Sequence, residues 1–268
     1  MNEKIKVSVP ILTLNSGKYL ERCLESIKNV AEIIVMDGNS TDNTLEIARK
    51  YGAKIYKQFE TDEPNQKIEN FTEMRLKLWS LVTEPWMFLL DSDEFATPEL
   101  MEEISEIIAR DEKDTAYLIP RLQIIKGSRL IKHNFSYPYN YMRLFRRDSG
   151  ITLKDKAVHE NLVIPESITQ KLTKNYCITD LLTNEERMEK DKHYLKLEFA
   201  TKPRFGWYKT VHKATINILK GLHIVEMSVI IYFKYGFKES LPPKYVWRFV
   251  RYHFLIAWYL IKRKFVKI

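Results

Sequence analysis

The nine residues Trp86 to Glu94 constrain the fold of this chain more than any other stretch. Five large apolar residues, 86–90, lead directly into three carboxylates within four positions, Asp91, Asp93 and Glu94. An apolar run that stops at a polar edge predicts a buried strand. Open α/β sheets place their chemistry beyond the carboxyl ends of such strands, so this end is the first candidate for a site.

Three carboxylates this close repel one another unless something neutralises them, and a divalent cation that prefers oxygen ligands would do so. The alternative is an exposed acidic turn before a helix, with Thr97 as N-cap and Pro98 at the first helical position. We adopt that interpretation for Thr97 and Pro98. We expect a functional role for Asp91 and Asp93, because a fully apolar strand leads straight into them.

The N-terminal half alternates strands and helices. Apolar strands are predicted at 5–14, 32–36 and 53–59. The first helix between them has apolar residues at i, i+3, i+4 and i+7, from Leu20 to Ile27, and the second carries Leu45, Ala48 and Tyr51. This order predicts an α/β fold with a parallel sheet and right-handed crossovers. Asp37 directly follows the second of these strands, so a further carboxylate is expected at the same sheet edge.

The pattern changes after residue 115. Short strands separated by turn residues predict antiparallel additions to the sheet, and beyond about residue 185 helical signals return, rich in aromatic residues and lysines. We therefore expect one domain over residues 1–185, with an α/β half at 1–112 and a second half at 113–185. Residues 186–268 are expected to form a basic, aromatic helical extension.

Charge narrows the partners that such a chain would bind. The formal net charge is +8 and the pI near 9.2, which favours nucleic acid, anionic membranes or phosphorylated ligands. No nucleic-acid-binding motif is present, so nucleic acid is not expected. Two isolated cysteines and the lack of a signal-peptide pattern predict a cytoplasmic protein.

Much of the positive charge lies in the C-terminal extension. Apolar residues from Val246 to Ile261 keep a helical stripe flanked by Lys and Arg, as in helices that lie in an anionic membrane interface. Packing on the catalytic domain or on another subunit, as in a homo-oligomer, fits the stripe equally well. The runs Tyr252–Ile261 and Leu222–Phe233 are too short for a span of about 20 residues, so peripheral attachment to the inner face of the cell membrane is expected.

The acidic strand ends fit a nucleotide-plus-metal site. One carboxylate can accept hydrogen bonds from a base or ribose, while paired carboxylates hold Mg²⁺ or Mn²⁺ between two phosphates. Neither G-x-G-x-x-G nor G-x-x-x-x-G-K-[ST] occurs, so a diphosphate would be met by metal and by Arg or Lys. Arg75 lies on an apolar helical stripe, where it either has an anionic partner or extends towards solvent at the sheet edge.

Three segments of this chain resemble the N-terminal motifs of family 2 glycosyltransferases with the GT-A fold. They are Val7–Asn15, Ile34–Thr44 and Leu89–Glu94. Arg143–Arg146 and Val158–Glu160 also resemble the subgroup that builds lipopolysaccharide or lipooligosaccharide cores. The resemblance implies a GT-A Rossmann-like mixed sheet flanked by helices, and transfer with inversion from a nucleotide sugar, most often a UDP-sugar, with Mn²⁺ or Mg²⁺. It further implies that residues 1–185 form the catalytic domain, with a nucleotide-sugar half at 1–112 and an acceptor half at 113–185.

The resemblance also implies roles for individual residues. They are Pro10 and Asn15 in the base pocket, Asp37 at base or ribose, Arg75 at the diphosphate, Asp91 at the reacting donor and Asp93 as direct metal ligand. An inverting transfer needs a general base for the acceptor hydroxyl. Our hypothesis assigns this role to Glu160, with His159 as a metal or phosphate contact or simply as a hydrogen-bonded loop residue.

The expected enzyme is a hexosyltransferase that adds one sugar to a glycan or lipid-linked acceptor in cell-envelope synthesis. Processive sugar polymerases of the family carry Gln-x-x-Arg-Trp and several membrane spans, and this sequence has neither. Two rival functions remain at this point. One is a phosphohydrolase with Asp91 as nucleophile and Asp93 as acid/base, and the other is a non-catalytic scaffold of the same fold.

Overall fold

The computed structural model describes residues 3–125, 129–135, 139–154, 162–180, 188, 191, 195, 199 and 205–265. The chain divides into two compact units. The first contains residues 1–122 and 139–179, and the second contains residues 123–138 and 180–268. The division predicted at residue 185 stays a prediction.

The described elements follow the chain as an α/β half, a mainly β stretch and two long helices. They are β1 (Ile5–Thr13), α1 (Gly17–Ser26), β2 (Val30–Asp37), α2 (Thr44–Lys50), β3 (Lys54–Lys57), α3 (Phe71–Trp79), β4 (Trp86–Phe88), β5 (Glu94–Ala96), α4 (Pro98–Arg110), β6 (Thr115–Ile125), β7 (Arg129–Ile131), β8 (Tyr139–Arg146), β9 (Thr152–Leu153), β10 (Leu162–Val163), β11 (Thr169–Leu172), β12 (Cys177–Asp180), α5 (Trp207–Tyr235) and α6 (Pro243–Lys262). Past residue 185 the described elements are helical, as predicted.

The sheet of the first unit is parallel on one side and antiparallel on the other. Its strand order is β3-β2-β1-β4-β8-β6-β12-β5, and β1 runs parallel to β2 and β4 while β2 runs parallel to β3. Strand β8 is antiparallel to both β4 and β6. The predicted antiparallel additions are therefore confirmed, and the parallel strands all end at one edge.

Both faces of the parallel half are buried, which explains its continuous apolar runs. Alternate residues point to opposite faces: Val35 and Phe88 belong to one apolar cluster, whereas Ile34 and Met87 belong to the other. The helix predicted after the acids is also confirmed. Thr97 Oγ1 accepts a hydrogen bond from the Leu100 amide at 3.2 Å, so Thr97 caps α4 as expected.

The starts of α1 and α2 are fixed by one carboxylate. Asp42 accepts hydrogen bonds from the amides of Gly17 at 2.9 Å and Thr44 at 3.0 Å, which satisfies a donor at each helix start. A Cβ at position 17 would lie 1.9 Å from Asn43 Oδ1, so a residue larger than glycine there would displace the Asn43 side chain. The turn after β2 therefore caps two helices at once.

In the second unit, β7 pairs antiparallel with residues 123–125 of β6, and α5 packs along α6. Helix α5 has 29 residues, so the run Leu222–Phe233 is only part of a longer helix. Among the helices within the described ranges, α5 alone is long and apolar enough, by length and composition, to cross a membrane. The stripe predicted from Val246 divides in two: Val246 and Ala257 are buried, whereas Phe254 and Trp258 are exposed.

A buried acid joins three parts of the parallel half. Glu32 on β2 accepts hydrogen bonds from the Thr83 amide at 2.9 Å, from Lys54 Nζ at 2.6 Å and from the Ser8 hydroxyl. Burial raises the pKa of Glu32, but its hydrogen bonds with Lys54, Ser8 and Thr83 outweigh burial and lower that pKa to about 2. The carboxylate thus links β1, β2, β3 and the loop before β4.

We predict that Glu32→Gln destabilises the protein at neutral pH and matters progressively less in acid. Because the folded-state pKa lies below the ordinary value of 4.5, the ionised carboxylate contributes stability above that value and loses it as the pH falls towards about 2. The difference from wild type should be about 3 kcal/mol at pH ~7 and clearly smaller at pH ~3 in urea unfolding. Exposed Glu106 supplies the control Glu106→Gln, and a pH-independent Glu32 effect would contradict this assignment.

Candidate active site

The polar residues of the candidate site lie where the parallel strands end. Asn15 follows β1, Asp37 ends β2 and Asp91 follows β4. The hydroxyls of Ser16 and Ser92 are 3.1 Å apart, which ties the end of β1 to the acidic turn. The sheet therefore brings the three predicted motif ends together.

Asp91 is held by a guanidinium from α3. Arg75 Nη2 lies 3.1 Å from Asp91 Oδ1, so the anionic partner expected for Arg75 is Asp91 itself. Burial raises the pKa of Asp91, but the positive charges of Arg75, Arg143 and Arg121 outweigh it and hold that pKa below its usual range. Asp91 is therefore a carboxylate at neutral pH, with part of its surface open to solvent.

Asp93 has a different environment from Asp91. Its side chain is exposed, yet desolvation by the surrounding protein and the negative charges of Asp91 and Glu94 raise its pKa. An exposed carboxylate crowded by two others is a favourable ligand for a cation, because the cation would offset the repulsion.

Glu94 is a structural acid, a role that the sequence pattern left undefined. It is 1% exposed and forms a two-pronged ion pair with Arg143 Nη1 and Nη2. Arg121 Nη1 lies 3.2 Å from Glu94 Oε1, and the Asp91 amide donates to Glu94 Oε2 at 3.2 Å. Arg143 also donates to the Leu89 carbonyl at 3.0 Å, so this pair fixes the backbone on both sides of Asp91.

Arg121 and Arg143 are the site residues that sequence reasoning did not assign. Arg143 lies in a segment that carried part of the family resemblance, but its partner is 49 residues away and no local pattern indicates it. Arg121 also donates to the Tyr141 hydroxyl at 2.9 Å, and its guanidinium lies 4.6 Å from the centre of that ring. Arg121 and Arg143 reach Glu94 because β8 lies between β4 and β6 in the folded sheet.

Asp37 is buried and already well hydrogen-bonded. Its carboxylate accepts from the Thr13 hydroxyl at 2.7 Å, from the Ser40 amide at 2.7 Å and from the Ser40 hydroxyl at 2.6 Å. These bonds join the ends of β1 and β2. A role for Asp37 at base or ribose stays a prediction, and such a ligand would add to this network.

Asn15 organises the loops around the same edge. It adopts a left-handed backbone with φ 49°, a conformation that asparagine tolerates better than most residues. Its amide donates to Ser40 Oγ at 2.7 Å, and its side chain donates to Asn65 Oδ1 at 2.7 Å. Pro10 is buried inside β1 opposite Ile34, three residues before that strand ends.

Two predicted site residues, His159 and Glu160, lie outside the described residues. Within the described ranges, no group of three or more His, Cys, Asp or Glu side chains is arranged as a metal site. Asp91 and Asp93 nevertheless fit Mn²⁺ or Mg²⁺ by the chemistry of their oxygens and by the crowding that raises the pKa of Asp93. Further ligands would have to come from phosphate oxygens or water.

Comparison with known families identifies the class of protein. The model of glycosyl transferase family 2 matches residues 8–158, which include most of β1, the acidic turn and the Glu94–Arg143 ion pair. The chain belongs to this family. Its mixed sheet and helices are the GT-A fold class, and the protein is a glycosyltransferase. The predicted family and fold class are confirmed, and the phosphohydrolase and scaffold alternatives are set aside.

Individual relatives support the same class. A lipopolysaccharide core biosynthesis glycosyltransferase, LpsC, of Rhizobium meliloti is 28% identical over 82% of each chain. An uncharacterized glycosyltransferase of Rickettsia conorii is 34% identical over 47% of this chain and 42% of its own length. The chain thus spans less than half of that second relative.

A solved structure is also similar to this chain. Staphylococcus aureus TarS 1-349 in complex with UDP-GlcNAc is 16% identical, covers 94% of this chain and 81% of its own length, and has a TM-score of 0.48. Because this score is below 0.5, the fold assignment depends on the family match and the observed strand order.

We predict that Glu94→Gln destabilises the protein by about 3 kcal/mol, since it leaves the buried Arg143 guanidinium without its counter-charge. The control is Glu112→Gln, whose carboxylate pairs with the half-exposed amine of Lys171 and should cost less than about 1 kcal/mol. Urea unfolding at neutral pH measures both. Equal effects of the two substitutions would show that the Glu94 pair does not hold the acidic turn.

Proposed function

We propose that the protein is an inverting, metal-dependent glycosyltransferase that moves a single sugar from a UDP-sugar to a glycan or lipid-linked acceptor. One observation carries the proposal. Asp91, oriented by Arg75, and exposed Asp93 lie together at the carboxyl edge of the parallel strands, where α/β sheets bind nucleotides.

The donor would lie along this edge from β2 to β4. In the proposal, Pro10 and Asn15 line the base pocket and Asp37 accepts hydrogen bonds from base or ribose. Arg75 is close enough to Asp91 to share its charge between that carboxylate and a diphosphate oxygen. The choice of a UDP-sugar follows from the family resemblance.

The proposed metal ligands are Asp93 and, beside it, Asp91, with His159 as a third contact. A bound Mn²⁺ or Mg²⁺ would neutralise negative charge that develops on the leaving diphosphate. The chain itself contributes a fixed arrangement: Glu94 and Arg143 hold the turn, and Arg75 keeps Asp91 ionised and oriented. Preorganised charges of this kind stabilise a transition state without reorganisation.

Inversion at the sugar requires a base on the face opposite the leaving group. We propose Glu160 for this role, because its segment resembles that of the lipopolysaccharide core subgroup. Glu160 would accept the proton of the acceptor hydroxyl as the new glycosidic bond forms. Asp91 would then act on the donor side of the reaction.

The acceptor class and cellular place are inferred from the family and from the Rhizobium relative, which is named for lipopolysaccharide core biosynthesis. We propose that this chain also acts in cell-envelope glycan or glycolipid synthesis. It would work in the cytoplasm, at the inner face of the cell membrane, where nucleotide sugars and lipid-linked acceptors meet. Assembly into a homo-oligomer stays a prediction.

We predict that UDP stabilises the wild-type protein against heat only when Mn²⁺ or Mg²⁺ is present. A ligand at about 100 times its dissociation constant adds about 2.7 kcal/mol, which is a shift of several degrees for a chain of this size. Asp93→Asn should abolish the metal-dependent part, because it removes the direct ligand. Exposed Asp114 supplies the control Asp114→Asn, which should behave as wild type. A metal-independent shift, or a normal one in Asp93→Asn, would contradict the assignment.

We predict that Glu160→Gln lowers turnover by about 100-fold or more while donor binding is kept. The reason is that glutamine keeps the shape of the side chain but cannot accept the proton of the acceptor hydroxyl. Initial rates with a UDP-sugar and a lipid-linked acceptor, together with the UDP-induced thermal shift, separate the two properties. Glu166→Gln, six residues along the chain, is the matched control. Unchanged turnover in Glu160→Gln would remove this residue from the mechanism.

A further inference from the structure

Helix α5 buries mostly small residues and exposes many of its large ones. Four of its six buried residues are small, namely Thr210, Ala214, Gly221 and Ser228. By contrast, Leu222, Val229 and Phe233 are 53%, 44% and 89% exposed. A helix on the surface of a soluble domain shows the opposite arrangement, with its large apolar residues against the core and polar residues in water. The outer face of α5 is therefore suited to an apolar environment.

The apolar exposure is concentrated in one part of the molecule. Of the 23 exposed large apolar side chains among the described residues, 17 lie between Trp207 and Phe265. Scattered single residues of this kind are ordinary, whereas a contiguous patch marks an interaction surface. We therefore expect another molecule to cover this patch.

Helix α6 adds an aromatic stripe to this patch. Trp247, Phe254 and Trp258 are exposed at a spacing of seven and four residues, which places them on one side of the helix. Phe254 packs over Gly221 of α5, where a Cβ would lie 3.2 Å from the ring. The exposed sides of the two helices therefore adjoin.

The two helices also meet at their far ends. The rings of Trp207, at the start of α5, and Phe265, just beyond α6, are 5.6 Å apart. Exposed apolar side chains thus continue from one helix to the other. We name these exposed residues the apolar face, comprising Trp207, Val211, Leu222, Val225, Val229, Phe233, Trp247, Phe254, Trp258, Ile261 and Phe265.

Charge identifies the kind of occupant. Residues 205–265 contain eleven Lys and Arg against two Glu, a net charge of +9, whereas the whole chain carries +8. The rest of the chain is therefore close to neutral, at −1. A segment that is both apolar and strongly basic is complementary to an anionic lipid bilayer, whereas two copies of such a segment would repel each other.

The basic residues of α6 lie beside its aromatic stripe. Lys244, Arg251 and Lys262 are spaced by seven and eleven residues, which keeps them on one side of the helix, next to Trp247 and Trp258. Lys262 Nζ lies 4.5 Å from the centre of the Trp258 ring. Aromatic rings and cations in this arrangement are suited to the level of lipid headgroups.

The lysines of α5 indicate how the helices lie. Lys209, Lys213, Lys220 and Lys234 share one stripe, because their spacings of 4, 7 and 14 residues return to the same side of a helix. Val211 is two residues from Lys209, about 200° away, so this stripe is opposite the apolar face. A helix crossing the bilayer would carry Lys220 into its interior, whereas a helix lying flat keeps all four lysines in water.

We propose that α5 and α6 dock flat on an anionic lipid surface, with the apolar face in the bilayer interface and Lys244, Arg251 and Lys262 among the headgroups. The lysine stripe of α5 faces away from the lipid. This inference concerns the second unit alone and does not depend on the proposed chemistry, so the two can fail separately.

The test measures binding of the full chain to vesicles of phosphatidylcholine alone and of an equimolar mixture with phosphatidylglycerol. Cosedimentation gives the partition coefficient. Tryptophan fluorescence gives the site of contact, because Trp79 and Trp86 are buried in the first unit while Trp207, Trp247 and Trp258 are exposed. We expect binding to the mixed vesicles, with a blue shift and with quenching by lipids brominated near the headgroup.

Two charge variants with the same loss of three positive charges decide the orientation. The face variant is Lys244→Gln with Arg251→Gln and Lys262→Gln, and it should bind mixed vesicles about 100-fold more weakly. The control is Lys209→Gln with Lys213→Gln and Lys220→Gln on the opposite stripe. It should lose less than about 10-fold, since these charges lie about a Debye length from the lipid. Equal losses in both variants would overturn the proposed orientation.

An apolar variant tests the other half of the surface. Leu222→Gln with Val229→Gln and Phe233→Gln changes only exposed side chains, and it should weaken binding at least about 10-fold. Far-UV circular dichroism checks whether this apolar variant folds. If it does not fold, the two charge variants still test whether the apolar face binds the lipid.

Three outcomes would overturn the proposal. The first is no binding of wild type to the mixed vesicles. The second is a stable oligomer in light scattering that the apolar variant dissolves, because the occupant would then be a second copy. The third is bound protein that neither high salt nor an excess of fresh vesicles releases, since that would indicate a helix inserted across the bilayer.

Discussion

The structure of the site depends on one buried ion pair, between Glu94 and Arg143. Both groups are almost fully removed from water, and two charges in that position are costly unless hydrogen bonds offset the lost hydration. The pair receives them from Arg121, the Asp91 amide and the Leu89 carbonyl. Each of these bonds fixes the path of the chain around Asp91.

Because of this ion pair, the three neighbouring acids Asp91, Asp93 and Glu94 have three different environments and roles. Glu94 is buried and neutralised by guanidinium groups, Asp91 is half-buried beside Arg75, and Asp93 is exposed with a raised pKa. Crowding three carboxylates is unfavourable for folding but places negative charge where a cation can bind. The repulsion among these carboxylates therefore makes folding less favourable, and a bound metal would relieve it.

Sequence patterns predicted the α/β order, the antiparallel additions and the start of α4, because these follow from local periodicity and capping. They did not predict that β4 ends at Phe88, since Leu89 and Leu90 are as apolar as the strand before them. The roles of Glu94 and Arg121 were also missed. Both depend on β8 lying between β4 and β6, a long-range pairing that no local pattern encodes.

The helical extension shows a similar limit. Periodicity predicted the helix carrying Val246 and Trp258, but it could not divide the stripe into a side against α5 and an exposed side. That division depends on which residues of α5 are small. Gly221 admits Phe254 over the helix backbone, while large residues of α5 such as Leu222, Val229 and Phe233 are directed outward.

We propose that Asp91 and Asp93 form the metal end of a nucleotide-sugar site. Anomalous scattering at the manganese edge, from crystals grown with UDP and Mn²⁺, would locate the ion. We expect a single strong peak in coordination contact with the Asp93 carboxylate and beside Asp91, with the diphosphate on its other side. Bound UDP with no manganese peak at these residues, or with the peak at a different set of side chains, would contradict it.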